Sequence, residues 1–594
     1  MLQELRDSGV RLGIVSNIGQ ETEEDVRRVL EESQIYDFFE PSLLIYGEKD
    51  SPEIFRRAAE QAGNSATPAR CLYVGEDRDE RSYALEAGFL VAPHPRLALQ
   101  VLNGKHLRYI RVTLPAEYRS SSGGWREAIR GLAVVPIRVT GENGTMVYAI
   151  ATSGAASRLD DLGFEVDRLG SEDLPLATEV YFLRDDRQTR TGFLVEEGES
   201  NRFFDRDEES RMVLASSEGG LYVAMPAGRS VEQYHFEETL HGHNLKLTPG
   251  MVLLEPAEVA QTANLLSAPP VESVLSQEEI ESLRGEITPE SIAADVDRYG
   301  GKRPVDDAGG ITIKSRHIQH EHNALAVAAL LLDLEGIGGE DFSVALHRFT
   351  HEGRTLDNVE AELVGSELEE IVLITAHLDS TAKSTEGYDP KKDDAPGVDD
   401  DGSGTAAVVA AARAIRRLSA GKRPKRTIRF VLFNAEEHGL VGSKAYAGNE
   451  AALEAPIVGV YQMDMIGYNK EPPRTYEIHA GIQKFPDVED RSFTLAERIG
   501  RLAEHVSPNL PAPQIYLSKD PDPAEERSDH ASFQLVGYPA CVISEDFFAG
   551  PDPGSPQSEA NPNYHKKGDT FVDPEYAADI ARAVAAAAWA TANL

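Results

Sequence analysis

The residues best able to do chemistry together are histidines and carboxylates spread between His377 and His565. The run Ile371–Asp379 is apolar until its end, where His377 and Asp379 stand two apart. In an extended backbone such residues point to one side. Pro396–Gly404 holds three consecutive acids, Asp399, Asp400 and Asp401. A second apolar run, Thr427–Phe433, empties into Asn-Ala-Glu-Glu-His-Gly, with Glu436 and Glu437 adjacent. A third, Gly459–Gly467, carries a single acid, Asp464. A lone carboxylate in a buried strand is costly unless it is paired or bound to a metal. A late histidine completes the set. It is either His530, in Ser-Asp-His-Ala-Ser-Phe, or His565, in Tyr-His-Lys-Lys-Gly-Asp-Thr, and spacing alone does not choose.

Imidazole and carboxylate donors without thiolate suit zinc, or a harder ion such as manganese or cobalt. Two ions about 3.5–4 Å apart need one shared carboxylate and a pair of further ligands each, which this inventory supplies. Of two adjacent glutamates, one can ligate while the other serves as a general base towards water, as amide hydrolysis requires.

These groups need strands that end together, and open α/β sheets place their sites at the carboxyl ends of strands. The Ala/Val-rich stretch Thr405–Leu418 predicts a helix directly after the acid triplet. The pattern from about residue 288 to 594 reads as one α/β unit closing with an Ala-rich helix over Ala577–Leu594. Ser315–Leu334 predicts a long helix carrying His317, His320 and His322; 317 and 322 fall on different faces, so packing or solvated roles are expected. Leu265–Glu286, with Pro269-Pro270 and many acids, reads as a linker. Before it, short β-branched segments such as Tyr109–Leu114, Val134–Val139, Met146–Ala151, Val180–Leu183 and Tyr222–Met225 predict a mostly β domain over 105–265. His235, His241 and His243 lie loosely together there without a carboxylate pattern, so surface or packing roles are expected. Residues 1–98 alternate strand and helix patterns, which predicts a partial, parallel, doubly wound sheet. The expected domains are thus 1–98, 105–265, a linker at 266–287, and 288–594.

The chain of 594 residues is acidic, with 99 Asp and Glu against 59 Lys and Arg, a net charge of −40. That argues against nucleic acid or an anionic membrane as a partner. Two cysteines, Cys71 and Cys541, provide no disulfide framework. Met1–Gly13 lacks an apolar signal core, so a cytoplasmic location is the expectation.

The motifs Ala376-His-Leu-Asp-Ser, Pro-Gly-Val-Asp-Asp-Asp-Gly-Ser-Gly, Phe433-Asn-Ala-Glu-Glu-His-Gly, Gln462-Met-Asp-Met-Ile-Gly and Ser-Asp-His-Ala-Ser-Phe follow one another in order. Together they resemble the M28 family of zinc metallopeptidases, the aminopeptidase Y and bacterial leucyl aminopeptidase group. The resemblance implies a zinc-exopeptidase-like fold, a mixed sheet flanked by helices. It implies that His377 and Asp464 bind one zinc, Glu437 and His565 a second, and that Asp400 bridges them. His565 is preferred because His565–Thr570 matches the family's His-x-x-x-Asp-Thr motif. Glu436 would be the general base and Asp379 would orient His377. The expected activity is that of an aminopeptidase on peptides or proteins with a free amino terminus. A carboxypeptidase or dipeptidase on the same scaffold is the alternative, and a binding or scaffold protein the rival outside that class. Glu525, Glu526 and Arg527 replace a tyrosine and cysteine pair found before Ser-Asp-His in some members. Lys566 and Lys567 are candidates for influencing preference at a substrate's carboxyl end.

The front segment resembles part of a haloacid-dehalogenase-like hydrolase, through Ser16-Asn17, Lys49 before Asp-Ser-Pro-Glu-Ile-Phe, and Gly75-Glu-Asp-Arg-Asp. In that family the nucleophile is the first Asp of an Asp-x-Asp motif on an N-terminal strand, and no strand bearing one is read ahead of Ser16-Asn17, so a structural or partner-binding role is expected.

Overall fold

A computed structural model describes residues 2–17, 22–63, 67–115, 118, 124–140, 146–184, 212–217, 220–234, 244–254, 275–305, 310–470, 474–519, 522–548 and 560–594. They divide into two compact units. One comprises the described residues up to 234 with 244–253 and 349–356, and the other 254, 275–348 and 357–594.

In the first unit, Ile14–Ser16 pairs in parallel with Leu44–Tyr46, and Leu72–Val74 in parallel with Leu90–Ala92. The parallel sense matches the strand–helix alternation, although the pairs stand as two separate sheets. Lys49 Nζ lies 2.8 Å from Glu80, on the helix Arg78–Glu86 that Asp77 caps. Next come strands Leu107–Thr113, Val134–Thr140, Met146–Thr152 and Glu165–Leu169, with helices Gly124–Ile129 and Ser153–Asp161 between them. This β-α-β-β-α-β order forms an antiparallel sheet. Trp125, Ile129, Ala155, Ala156 and Leu159 from its helices share a core with Ile110, Val112 and Ala149. The stretch expected to be mostly β is therefore β-rich with packed helices. A further antiparallel sheet joins Thr178–Arg184, Val213–Ser217, Gly220–Pro226 and Leu245–Leu247. His235, His241 and His243 lie outside the described residues.

The second unit is built on an eight-stranded sheet, of which residues 349–351 and 354–356 fall in the first: β1 (Phe342–His351), β2 (Arg354–Leu363), β3 (Ile371–His377), β4 (Thr427–Phe433), β5 (Ile457–Met463), β6 (Tyr476–His479), β7 (Gln514–Tyr516) and β8 (Ala540–Glu545). The strand order is β1-β2-β4-β3-β5-β8-β6-β7. Strands β4, β3, β5 and β8 run parallel, while β2 and β6 pair antiparallel with β4 and β8. Its helices are α1 (Gln277–Glu286), α2 (Pro289–Tyr299), α3 (His322–Glu335), α4 (Gly402–Ser419), α5 (Val441–Ala452), α6 (Pro486–Val506), α7 (His530–Leu535) and α8 (Pro574–Asn593).

Every residue of β3 is buried, which is why that strand reads as a continuous apolar run. Val372, Ile374 and Ala376 face a core shared with α1, α2, α4, α6 and α8. Alanines at 406, 407, 410, 411, 414, 577, 578, 581, 585 and 588 are fully buried there, their small side chains letting helices approach closely. At the end of β4, Phe433 instead meets Tyr446 of α5 and Phe533 of α7, with ring centroids 5.7 and 5.8 Å apart. Alternate strand residues thus feed helices on both faces.

Two expectations need correction. Gln277–Glu286, assigned to the linker, is a helix with a Ser276/Glu279 capping box, and its Ile280 and Leu283 enter the main core. The helix expected over 315–334 starts at His322. Ser315 makes a β-bridge with Ala395, and Arg316 is drawn into the interior, so that segment cannot coil.

Candidate metal centre

Three neighbouring parallel strands deliver the acids and the first histidine. β3 ends at His377, β4 runs through Asn434 and Ala435 into Glu436 and Glu437, and β5 is followed by Asp464. The triplet Asp399–Asp401 leads into α4, whose N-terminus favours nearby negative charge.

Asp401 caps α4 by accepting from Gly404 N at 2.9 Å. Its carboxylate also accepts from His377 N and Met465 N, both at 3.2 Å, and so ties together the ends of β3, β5 and the start of α4. Asp569 accepts from Asp399 N and Asp400 N, each at 3.1 Å, anchoring the triplet to the loop that carries His565. Arg316 is fully buried, and its guanidinium donates to the carbonyls of Leu378, Pro396, Gly397 and Tyr299 at 2.7–3.1 Å. Gly397 has φ +47°, and an added Cβ would collide with the Asp400 carbonyl oxygen and Ser380. Ala435, Met465 and His565, all at the site, hold left-handed φ values of 54–59° without being glycine, a strain that clusters at functional sites.

His377, Asp400 and Asp464 bring one ligand atom each to within 4.8 Å of one another, and Asp400, Glu437 and His565 do the same. His377 Nε2 lies 3.2 Å from Asp400 Oδ1 and 3.6 Å from Asp464 Oδ1. His565 Nε2 lies 3.2 Å from Asp400 Oδ2 and 3.1 Å from Glu437 Oε2. All five residues are buried. Glu436, also buried, belongs to neither triad. Asp379 faces His377 Nδ1 at 3.5 Å and accepts from Glu436 N and Glu437 N at 3.0 and 3.2 Å.

Burial opposes ionisation of Asp400, yet the His377 and His565 imidazoles hold its carboxyl well below the usual range. Burial also works against charge on His377, but the carboxylates of Glu436, Asp379, Asp400 and Asp464 raise its pKa well above that of free imidazole. Glu436 is pushed well above the carboxylate range by burial and by Asp529, Asp464 and Glu437, against the pull of His377. Like charges packed this closely need protons or cations between them. Two triads of imidazole and carboxylate donors sharing one aspartate fit a pair of zinc-like ions.

His530 stands in neither triad. It is buried, its imidazole is depressed to about 3 by burial, and its backbone N–H donates to Gln462. Its motif contributes through Ser528, whose hydroxyl donates to Asp464 Oδ2 and accepts from Gln462 at 2.7 Å. Neither Ser528 nor Arg316 was singled out from sequence. The first sat inside a recognised motif; the second carried no signal at all.

Residues 358–589 match the profile of Peptidase family M28. Leupeptin-inactivating enzyme 1 of Streptomyces exfoliatus is 38% identical over 127 residues, 21% of this chain and 26% of that one. Leucine aminopeptidase 1 of Penicillium rubens is 28% identical over 225 residues, 36% of this chain and 52% of that one. A probable zinc metalloprotease of Pyricularia oryzae is 26% identical over 383 residues, 58% and 74% of the two chains. The first two matches thus span about a quarter and about half of those relatives' lengths. The ordered motifs, the eight-stranded sheet and the family match agree: residues 358–589 form a domain of Peptidase family M28.

Proposed function

We propose that the protein is a zinc-dependent exopeptidase, an aminopeptidase acting on peptides or proteins with a free amino terminus. The observation that carries this reading is the pair of buried triads sharing Asp400 within a Peptidase family M28 domain. His377, Asp400 and Asp464 would hold one zinc, and Asp400, Glu437 and His565 the other; manganese or cobalt suits the same donors. When bound, the ions polarise the scissile carbonyl and make water a competent nucleophile near neutral pH. Glu436, outside both triads, takes the proton from the attacking water as its oxygen bonds to the carbonyl carbon. It then delivers that proton to the amine nitrogen as the C–N bond breaks. Asp379 orients His377 and, through two backbone N–H groups, fixes both glutamates. The choice of the amino end draws on the relatives named leucine aminopeptidase.

The test is elemental analysis of the purified chain together with hydrolysis of leucyl anilide and its N-acetylated counterpart, with and without a chelator. About two zinc ions per chain and chelator-sensitive release from the free amine alone are expected. Hydrolysis that ignores the amino block but requires a free carboxyl end would replace this reading with a carboxypeptidase. Failure to take up metal would leave a binding protein.

A further inference from the structure

We propose that Lys383 recognises the carboxylate of a short substrate, directing the activity to dipeptides. This rests on the exopeptidase reading above and names its substrate class.

Lys383 lies on the loop leaving β3, four residues beyond Asp379. Its side chain is 8% exposed, its ammonium makes no hydrogen bond, and the Glu437 carboxylate is 3.8 Å away. The loop is clamped to the last ligand's segment: Ser384 N donates to His565 O at 2.9 Å and Lys567 N to Thr385 Oγ1 at 3.0 Å. Lys383 therefore forms part of the wall next to the second triad. An ammonium has three donors, and burying them without acceptors is costly. Glu437 stands beyond hydrogen-bond reach. Once the site is loaded, Glu437 is committed to its ion, which leaves the Lys383 ammonium a nearly buried cation with which an incoming anion can pair.

The two lysines suggested by sequence are engaged elsewhere. Lys566 Nζ donates to Pro562 O at 2.8 Å, and Lys567 Nζ pairs with Asp393 at 3.1 Å; both are exposed. In a dipeptide the terminal carboxylate follows the scissile bond after a single Cα, and successive Cα atoms are about 3.8 Å apart. A longer peptide presents a neutral carbonyl there, which lacks the attraction between opposite charges that a carboxylate adds.

Zinc-loaded protein would be assayed with Leu-Gly, Leu-Gly amide and Leu-Gly-Gly. The expected result is a kcat/KM for Leu-Gly about tenfold or more above that for the amide, carried mainly by KM. Lys383→Met removes that preference and Lys383→Arg retains it. A binding readout accompanies the rates: calorimetry on Glu436→Gln should give tighter binding of Leu-Gly than of its amide by a similar factor, lost in the double variant with Lys383→Met. Equal use of acid and amide by the wild type overturns the proposal and leaves the exopeptidase intact. So does a Lys383→Met enzyme that keeps the preference or loses both substrates alike. If no leucyl substrate is cleaved or bound, the exopeptidase reading itself falls and takes this proposal with it.

Discussion

At the scale of residues, the proposed chemistry rests on two adjacent glutamates with different surroundings. Glu437 faces His565 at 3.1 Å within a triad, whereas Glu436 stands outside both. Glu436→Gln is expected to keep two metals and lower kcat by roughly 10²–10⁴-fold, the usual worth of a positioned base. Near-normal turnover in a metal-replete variant would remove the assignment. Asp400→Ala, by contrast, should lose metal altogether, as elemental analysis would show. These residues were legible in sequence because acids and imidazoles at the ends of apolar runs are expensive without a shared partner. Lys383 was not. Its neighbours in space, Glu437 and His565, are far away in sequence, while Lys566 and Lys567 drew attention by standing beside His565. Adjacency in sequence does not tell which way a side chain turns.

Strand ends and their tethers dominate at the scale of elements. The central strands were readable as apolar runs, and α4 as an Ala/Val stretch. The segment 315–321 was misread because its polar residues extend the period of α3 backwards, although Arg316 must stay extended to reach four carbonyls. The helices Gly124–Ile129 and Ser153–Asp161 were missed since six and nine residues hold too little periodicity.

Strand β6 supports a pH prediction for a residue outside the triads. His479, at its end, is buried between Asp522 at 2.7 Å and Glu477 at 3.0 Å, stacked on Tyr516, with the neutral His530 near enough to interact. Burial opposes its charge, but Asp522 and Glu477 raise its pKa to about 9. A folded pKa above the unfolded value of about 6.5 gives stability that is complete below about 6.5 and lost as pH rises through 9. His479→Gln should therefore cost on the order of 2–3 kcal/mol at pH 6, shrinking towards pH 9–10 in denaturant titrations. A cost that does not vary with pH would show that packing, not charge, is what His479 supplies.

For the molecule as a whole, metal bound at the proposed centre would be linked to stability. A ligand at a hundred times its dissociation constant adds about 2.7 kcal/mol per site to the state that binds it. Calorimetry with zinc and then chelator should shift the melting of the unit holding residues 357–594 by several degrees and leave the melting of the other unit in place. A shift in both would mean that they unfold together. Among the described residues no helix is long and apolar enough to cross a membrane.

On the proposed function, the order of the candidate ligands along the chain would also set when the protein gains activity during its own synthesis. A ribosome makes His377, Asp400, Glu437 and Asp464 first, and His565 only after β8. The helix that then completes the core, α8, packs on α4 and α6 and is made later still. Until those segments emerge, one triad lacks its imidazole and the core beneath the acids is open. Hydrolytic competence on that reading would arrive only with the last segments made, and a half-made chain would be unable to attack its neighbours.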